Sequence, residues 1–321
     1  MYELDRLQEA ADLVHSVMQP TAQHCWPLLC ERVGAEVWVK HENHTATGAF
    51  KVRGGIVYFE ELRKAEPEVR GVLAATTGNH GQSVAVGARR AGIEATIVVP
   101  LGNSPEKNAA MRGFGATLIE HGRDFNEALD FAVAHAEERN LHIYPSYHEW
   151  LVLGVASYAL ELLTAVPDLD TVYVPVGMGS GICGMMAARD ALGLETEIVG
   201  VVSDLAPTYA LSFAQRKPVP TNSADTFAAG LAVRVPDEAA LELMLAGTAR
   251  IVSLSEEEVA DAVRHYQSDT HNMAEGAGAA PLAALLKERE AMAGKRVGVV
   301  LSGGNIDRDV YARILSGQAP R

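Results

Sequence analysis

Short runs of β-branched and apolar residues alternate with helix-length segments along most of the chain. The runs occupy residues 36–40, 72–75, 95–99, 116–119, 141–144, 171–176, 197–202, 250–254 and 296–301. Continuous apolar runs of this length are typical of strands buried on both faces. Because strands separated by helices pair in parallel through right-handed crossovers, the pattern predicts an α/β protein whose sheets are covered by helices.

Two of the intervening segments carry their own helix start signals. Asp124 is followed by Glu127, and Ser255 by Glu258, each pair at the spacing of a capping box before an amphipathic run. In a capping box the side chain of the first residue accepts a hydrogen bond from the N–H of the residue three positions later. The acidic side chain of that later residue accepts one from the N–H of the first residue. We therefore expect helices to begin at both positions.

Composition and charge narrow the class of ligand. The chain has 321 residues, 48% of them apolar and 21% charged, which is ordinary for a folded globular protein. Its formal net charge of −14 opposes binding to nucleic acid or to anionic membranes and favours a small-molecule substrate. Neither a signal-peptide pattern nor a membrane-span length of apolar residues is present, and three cysteines are too few for a disulfide framework. We expect a cytoplasmic protein.

Lys51 lies in a segment of small residues, Thr47-Gly48-Ala49-Phe50-Lys51, shortly after the first predicted strand. A lysine around which backbone packs closely loses hydration, which lowers its pKa and makes the amine nucleophilic. Such an amine is suited to bind an aldehyde cofactor as a Schiff base. Taken alone, the segment also fits a solvated surface lysine.

Two later segments have the chemistry of anion sites at helix starts. Residues 76–82, Thr-Thr-Gly-Asn-His-Gly-Gln, follow a strand and open a helix, where free N–H groups and hydroxyls favour a carboxylate. Residues 177–181, Gly-Met-Gly-Ser-Gly, follow another strand, and glycines there let consecutive N–H groups converge on a phosphate. The alternatives are a capped polar turn for the first segment and a glycine turn that packs a helix on a sheet for the second.

Ser302 follows the last predicted strand, in Leu301-Ser302-Gly303-Gly304-Asn305. The carboxyl ends of strands in an open α/β sheet point into the ligand crevice, so Ser302 is expected to face the same cavity as the glycine segment. If the aldehyde cofactor is pyridoxal phosphate, it carries a pyridine ring. A neutral hydroxyl beside the pyridine nitrogen does not hold that nitrogen protonated, which weakens the ring as an electron sink and favours prompt loss of a β-leaving group.

These segments, in this order, resemble the fold type II pyridoxal phosphate enzymes, specifically the threonine/serine dehydratase and serine racemase branch, from Pro20 to Asn305. The resemblance implies two open, mostly parallel twisted sheets covered by helices, as in the tryptophan synthase β fold. It implies a large cofactor-binding domain of residues 1–62 and 149–321, and a small mobile domain of residues 70–142 that closes over the substrate.

The resemblance also implies the cofactor, pyridoxal 5′-phosphate, and the roles of individual residues. The catalytic residues would be Lys51 and Thr77. The cofactor would be bound by Phe50, Lys51, Asn79, Gly177, Met178, Gly179, Ser180, Gly181, Glu275 and Ser302. The substrate would be contacted by Thr76, Thr77, Asn79, His80, Tyr147 and His148.

Two departures from the family pattern bear on metal and substrate. Where metal-binding members carry acidic ligands, this chain has Val202 and Thr208, so we expect no metal site. Near the expected side-chain pocket it has Tyr147, His148 and Val155 instead of polar residues, which predicts a β-substituent larger than that of threonine or serine, as in phenylserine. The alternative is that Tyr147 and the nearby Trp150 are core or hinge residues.

The sequence therefore predicts a pyridoxal phosphate-dependent dehydratase, an ammonia-lyase that converts a β-hydroxy-α-amino acid into a 2-oxo acid and ammonia. Two alternatives stay open: an amino-acid racemase of the serine type, with Thr77 reprotonating the opposite face, and a non-catalytic protein that binds a regulatory ligand in the same crevice. The resemblance implies a homodimer. We expect no regulatory domain after the last helix.

Overall fold

The structure is a computed structural model that describes residues 2–318. Within this range the ten strands are β1 (Gln23–Cys25), β2 (Glu36–His41), β3 (Gly71–Ala75), β4 (Glu94–Val99), β5 (Thr117–Glu120), β6 (His142–Ile143), β7 (Thr171–Pro175), β8 (Glu197–Ser203), β9 (Arg250–Leu254) and β10 (Arg296–Leu301). The helices are α1 (Leu4–His15), α2 (Pro27–Val33), α3 (Lys51–Ala65), α4 (Asn79–Ala91), α5 (Pro105–Gly113), α6 (Phe125–Arg139), α7 (Glu149–Ala165), α8 (Ser180–Ala191), α9 (Thr208–Gln215), α10 (Glu238–Gly247), α11 (Glu256–Thr270), α12 (Gly276–Lys287), α13 (Arg289–Met292) and α14 (Arg308–Leu315). Two 3-10 turns lie at Glu42–His44 and Ala229–Leu231.

The strands form two sheets. The larger sheet has the order β1-β2-β10-β7-β8-β9, and all its neighbours pair in parallel except β1 with β2. The smaller sheet has the order β5-β4-β3-β6 and is entirely parallel. Because β2, β10 and β7 are parallel neighbours, their carboxyl ends meet at one edge of the larger sheet, which is where a ligand crevice is expected.

The predicted fold class is confirmed, since the chain has two mostly parallel sheets flanked by helices. The apolar runs at 250–254 and 296–301 coincide with β9 and β10. Ser255 and Glu258 form a complete capping box at the start of α11. At the start of α6, Asp124 accepts from the N–H of Glu127, but the Glu127 carboxylate accepts from the N–H of Arg123, so that box is only half formed.

Helix α3 joins the two sheets, because it packs against α4 on one side and against α7 on the other. Its contact with α7 is very close: a Cβ on Gly154 would lie 2.3 Å from the carbonyl oxygen of Arg53. Glycine at this position therefore lets the two helix backbones touch. No helix within residues 2–318 combines the length and the apolar character needed to cross a bilayer.

A buried cluster of charged side chains lies directly behind the start of α3. The guanidinium of Arg53 is fully buried and donates to Glu42 at 2.7 Å and to Glu161 at 2.6 Å. Lys40, also fully buried, donates to Glu161 at 2.5 Å. Burial alone would raise the pKa of the Glu161 carboxyl, but Arg53 and Lys40 lower that pKa to about 2. The cluster therefore ties β2, the turn after it, α3 and α7 to one another.

Replacing Arg53 by methionine should destabilise the protein strongly, because two buried carboxylates would lose their shared partner. We expect a loss of about 3–5 kcal/mol in the free energy of unfolding, measured by urea denaturation. The matched control is Arg6→Met, which breaks exposed ion pairs with Glu9 and Glu61 and should cost less than about 1 kcal/mol. Equal losses in the two variants would show that the buried cluster has no special role.

Candidate active site

Lys51 is the first residue of α3 and lies at the carboxyl edge of the larger sheet. The segment before it is held by backbone bonds. The N–H of Phe50 donates to the carbonyl oxygen of Ser302 at 3.0 Å, and Ala49 forms an isolated bridge with Gly303. Consequently the loop after β10 and the first turn of α3 are fixed against each other, and Ser302 and Lys51 belong to the same site.

The Lys51 amine is set in an apolar environment. Its Nζ lies 4.9 Å from the centre of the Phe50 ring, and it has no hydrogen-bond or ion-pair partner among residues 2–318. Burial lowers the pKa of Lys51 to about 8, although the charge of Glu275 acts in the opposite direction. A substantial fraction of the amine is therefore unprotonated at mildly alkaline pH, as nucleophilic attack on an aldehyde requires.

The predicted carboxylate segment connects β3 to α4, and α4 begins at Asn79. The N–H of Thr76 continues the sheet by donating to Val98, while the Thr76 hydroxyl accepts from the N–H of Gly78 at 3.4 Å. Asn103 donates to the carbonyl oxygen of Thr77 at 3.2 Å. The Thr76 side chain and Asn103 therefore hold the loop by hydrogen bonds. The first N–H groups of α4, a 13-residue helix, lie next to the hydroxyls of Thr76 and Thr77.

Asn79 connects this loop to the larger sheet through a chain of amide bonds. Its Nδ2 donates to Glu275 at 2.7 Å, and its Oδ1 accepts from Asn305 at 2.7 Å. Asn305 also donates to the carbonyl oxygen of Thr47 at 2.7 Å. Asn305 was not among the predicted site residues; its position three residues after Ser302, at the same strand end, was the signal that could have found it.

Glu275 and His80 both have strongly shifted pKa values. Burial raises the pKa of the Glu275 carboxyl to about 7, against the opposing effects of Lys107, the Asn79 amide and Lys51. Burial, with a smaller effect of the Lys51 charge, lowers the pKa of His80 to about 3. The Nε2 of His80 is buried and has no hydrogen-bond partner among the described residues. His80 is therefore a neutral imidazole with one nitrogen available to a ligand.

The glycine segment after β7 forms a backbone turn that leads into α8. Gly179, the cap of this helix, has a φ of +104°, a conformation that favours glycine. The hydroxyl of Tyr209 donates to the carbonyl oxygen of Met178 at 3.0 Å, and that of Tyr158 donates to Gly181 at 2.8 Å. Because these bonds use carbonyl oxygens, the N–H groups of the first turn stay available for an anion.

The aromatic ring beside Lys51 links the amine to the glycine turn. A Cβ on Gly181 would lie 3.6 Å from the tip of the Phe50 ring, so the ring lies next to the glycine turn. The structure therefore brings together Lys51, Phe50, the glycine turn, Ser302, the 76–80 loop and Glu275. An amine that binds aldehydes, an anion cradle within reach of it and a hydroxyl at the neighbouring strand end are the groups needed to hold pyridoxal phosphate.

The residues predicted to shape the side-chain pocket have packing roles in the structure. The Nδ1 of His148 accepts from the N–H of Trp150 and caps α7, and its ring contacts those of Tyr58 and Trp150. Val155 is buried in α7 against glycines of α3 and α8. Tyr147 lies against the glycine turn, 3.8 Å from the position of a Cβ on Gly179. Only Tyr147 therefore contacts a segment of the site.

The charged groups of the described chain do not gather into a metal-binding arrangement. Within residues 2–318 no group of three or more histidine, cysteine, aspartate or glutamate side chains is placed to hold an ion. Val202 lies in β8 and Thr208 begins α9, where its hydroxyl donates to the carbonyl oxygen of Val219. The absence of a metal stays a prediction.

Comparison with known proteins agrees with this geometry. The sequence profile of the family described as "Pyridoxal-phosphate dependent enzyme" matches residues 18–303. The L-threonine ammonia-lyase of Thermotoga maritima is 34% identical over 317 residues, which cover 98% of this chain and 79% of that protein. Threonine deaminase isoform 2 of Solanum lycopersicum, in its processed form, superposes with a TM-score of 0.90 at 25% identity, covering 98% of this chain and 94% of that chain. Maize serine racemase gives the same TM-score and identity, covering 98% and 97%.

Fold and site together define an enzyme that uses pyridoxal phosphate. The chain belongs to the pyridoxal-phosphate dependent enzyme family, and its predicted cofactor and its resemblance to the dehydratase and racemase branch are confirmed.

The lowered pKa of Lys51 predicts how the cofactor-free protein captures pyridoxal phosphate. Only the neutral amine attacks the aldehyde, so the capture rate should rise with pH and reach half its maximum at about pH 8. Capture is followed by absorbance, and borohydride reduction with peptide mass analysis locates the pyridoxyl group. Lys51→Ala should remove the label, whereas Lys64→Ala, at an exposed lysine, should not. A rate that keeps climbing toward pH 10.5, or a label on another lysine, would contradict the assignment.

The raised pKa of Glu275 predicts a pH dependence of stability in the cofactor-free protein. Between the ordinary pKa of 4.5 and about 7, the folded state keeps a proton that the unfolded state has lost. Glu275 should therefore lower stability by on the order of 3 kcal/mol as pH rises through this range, while the lowered pKa values of His80 and His41 raise stability toward pH 6.5. The contribution of Glu275 is read as the difference from Glu275→Gln, which should lose it, and Glu68→Gln, at an exposed site, should retain it. Urea unfolding at pH 5 and pH 8 measures both, and a Glu275→Gln profile parallel to that of the unchanged protein would refute the prediction.

Proposed function

We propose that this chain is a pyridoxal phosphate-dependent ammonia-lyase that dehydrates a β-hydroxy-α-amino acid to a 2-oxo acid and ammonia. The observation that carries the proposal is the half-buried amine of Lys51, which has no hydrogen-bond partner among the described residues and lies beside the Phe50 ring. Relatives named L-threonine ammonia-lyase that align along nearly all of this chain support the reaction type.

The residues assigned to the cofactor act through three kinds of contact. Lys51 would bind it covalently through its amine, with Phe50 against the ring. The N–H groups of residues 177–181 would bind its phosphate. By the family resemblance, Ser302 would contact its ring nitrogen, and Asn79 and Glu275 would also contact the ring. When bound, pyridoxal phosphate supplies the electron sink for negative charge at the substrate Cα.

The substrate carboxylate fits the loop of residues 76–80, where hydroxyls, an amide and helix N–H groups favour a negative charge. The neutral His80 offers its free Nε2 on the same loop. The amine of Lys51 would take the proton from the substrate Cα, because its lowered pKa suits a general base near neutral pH. Enclosing these groups between the two sheets excludes water from the reacting centre.

The experiment is an assay of 2-oxo acid release from threonine, serine, 3-hydroxyaspartate and 3-phenylserine, each as separate stereoisomers, with ammonia measured in parallel. We expect one ammonia for each 2-oxo acid, and loss of both in Lys51→Ala by at least about 10³-fold, because removing a covalent catalyst removes the reaction path. Failure of the unchanged holoenzyme to release a 2-oxo acid from any of these amino acids would overturn the proposal.

The preference for a large β-substituent, such as that of phenylserine, stays a prediction with reduced support. It was inferred from Tyr147, His148 and Val155, and the contacts of His148 and Val155 are those of packing residues. Turnover of 3-phenylserine above threonine in the same assay would support the larger substituent. Turnover of threonine far above the others would refute it.

Racemisation is the second candidate, since maize serine racemase shares the fold over nearly all of the chain. Thr77 would then reprotonate the face opposite Lys51. Chiral chromatography of the amino acid that remains after incubation distinguishes the two reactions. A regulatory protein without catalysis would bind the substrate and release neither product. The division into a large and a small mobile domain, the homodimer and the cytoplasmic location also stay predictions.

A further inference from the structure

Asp307 occupies the position before α14 at which a side chain normally caps its own helix. An aspartate there usually accepts from the second or third helical N–H. Asp307 makes no such bond. Its carboxylate instead accepts from the hydroxyl of Ser104 at 2.6 Å, and Ser104 is the cap of α5, next to the smaller sheet. The Asp307 side chain therefore links the loop after β10, at the larger sheet, to α5, beside the smaller sheet, and does not cap α14.

Helix α5, which Ser104 caps, and the residue just before Ser104 contact the 76–80 loop and the start of α4 at three points. Asn103, just before the helix, donates to the carbonyl oxygen of Thr77 at 3.2 Å. The side chain of Lys107 lies against Gly78, 3.3 Å from the position of a Cβ there. Met111 packs so tightly on Gly81 that a Cβ would meet its sulfur at 2.3 Å. A displacement of α5 would therefore displace residues 77–81.

The second partner of the Ser104–Asp307 hydrogen bond lies in the loop after β10. Ser302, Asn305 and Asp307 follow one another along this loop, and each contacts a different part of the site. The carbonyl oxygen of Ser302 accepts from Phe50, Asn305 donates to Asn79, and Asp307 accepts from Ser104. The N–H of Arg308 adds a bond of 3.3 Å to Glu106, on the first turn of α5. The loop after β10 therefore contacts both the segment before Lys51 and the 76–80 loop, and it fixes the distance between them.

We propose that Ser104 and Asp307 are positioning residues: their hydrogen bond holds α5, and with it the 76–80 loop, at the distance from Lys51 that substrate binding requires. Neither side chain needs to touch the substrate. The inference rests on the proposed function for its kinetic consequence, but its structural consequence can be measured without turnover.

The test compares Asp307→Ala and Asp307→Asn in the holoenzyme. Alanine removes the acceptor, so we expect kcat/KM for the best amino acid of the assay above to fall about five- to twentyfold, mainly through KM. Hydrogen exchange of the amides at 76–82 and 104–113 should become several-fold faster. Asparagine retains an acceptor oxygen and should restore most of both properties. Because Asp307 makes no cap bond, loss of α14 capping does not explain these effects.

Ser104→Ala and the double variant with Asp307→Ala complete a cycle. If the two side chains act through one bond, the double variant should be no worse than the more impaired single variant. Ser255→Ala is the control for loss of a serine cap: it removes the cap of α11 and should speed exchange there without changing kcat/KM.

The outcomes separate this inference from the proposed function. Unchanged exchange at 76–82 in Asp307→Ala, or strictly additive effects in the cycle, would overturn the positioning role even in an active enzyme. If the holoenzyme acts on none of the amino acids, the proposed function fails, while faster exchange at 76–82 that Asp307→Asn reverses would still support the positioning role.

Discussion

The structure depends on one buried ionic contact, that of Arg53 with Glu42 and Glu161. Arg53 is two residues after Lys51, on the first turn of α3, and its partners belong to the turn after β2 and to α7. A guanidinium can satisfy two carboxylates at once because its five donors form a planar fork. Ions so deeply buried are costly unless every partner is present, so the contact permits only one arrangement of these three segments. That arrangement fixes the end of α3 from which Lys51 projects.

Close backbone packing transmits this constraint to the rest of the site. The contact of Gly154 with the Arg53 carbonyl brings α7 against α3, and the Phe50 ring, beside Lys51, lies next to Gly181 of the glycine turn. On the opposite side Asn79 joins the smaller sheet to Glu275 and Asn305. Residues from five separate parts of the chain are therefore held around one amine by contacts that leave little room for adjustment.

The sequence was sufficient to predict the α/β class from its apolar runs. The two sheets, the cofactor and the segments near Lys51 were predicted from local motifs, such as a glycine-rich turn and a polar helix start, together with the family resemblance that these motifs carry. The sequence was insufficient for Asn305, Ser104 and Asp307, whose partners are more than 200 residues away and whose local context is that of an ordinary loop or cap. The roles predicted for His148 and Val155 stay predictions, although both side chains have packing contacts in the structure. Their positions beside the predicted pocket carried no information on which way the side chains face.

The electrostatics of the crevice explain why loop geometry matters so much here. Burial lowers the pKa of His80 to about 3, so this side chain is neutral, and burial raises the pKa of Glu275 to about 7. The amine of Lys51 would be bound covalently to the cofactor. Apart from Lys107, whose side chain lies against Gly78, the two anions that the site is proposed to hold, a phosphate and a carboxylate, therefore depend mainly on backbone N–H groups and helix ends. Such dipoles act over a single turn, and their effect falls steeply when donors move. An enzyme that binds anions in this way needs its loops held at a set distance, and hydrogen bonds between the two sheets are the means that this chain provides.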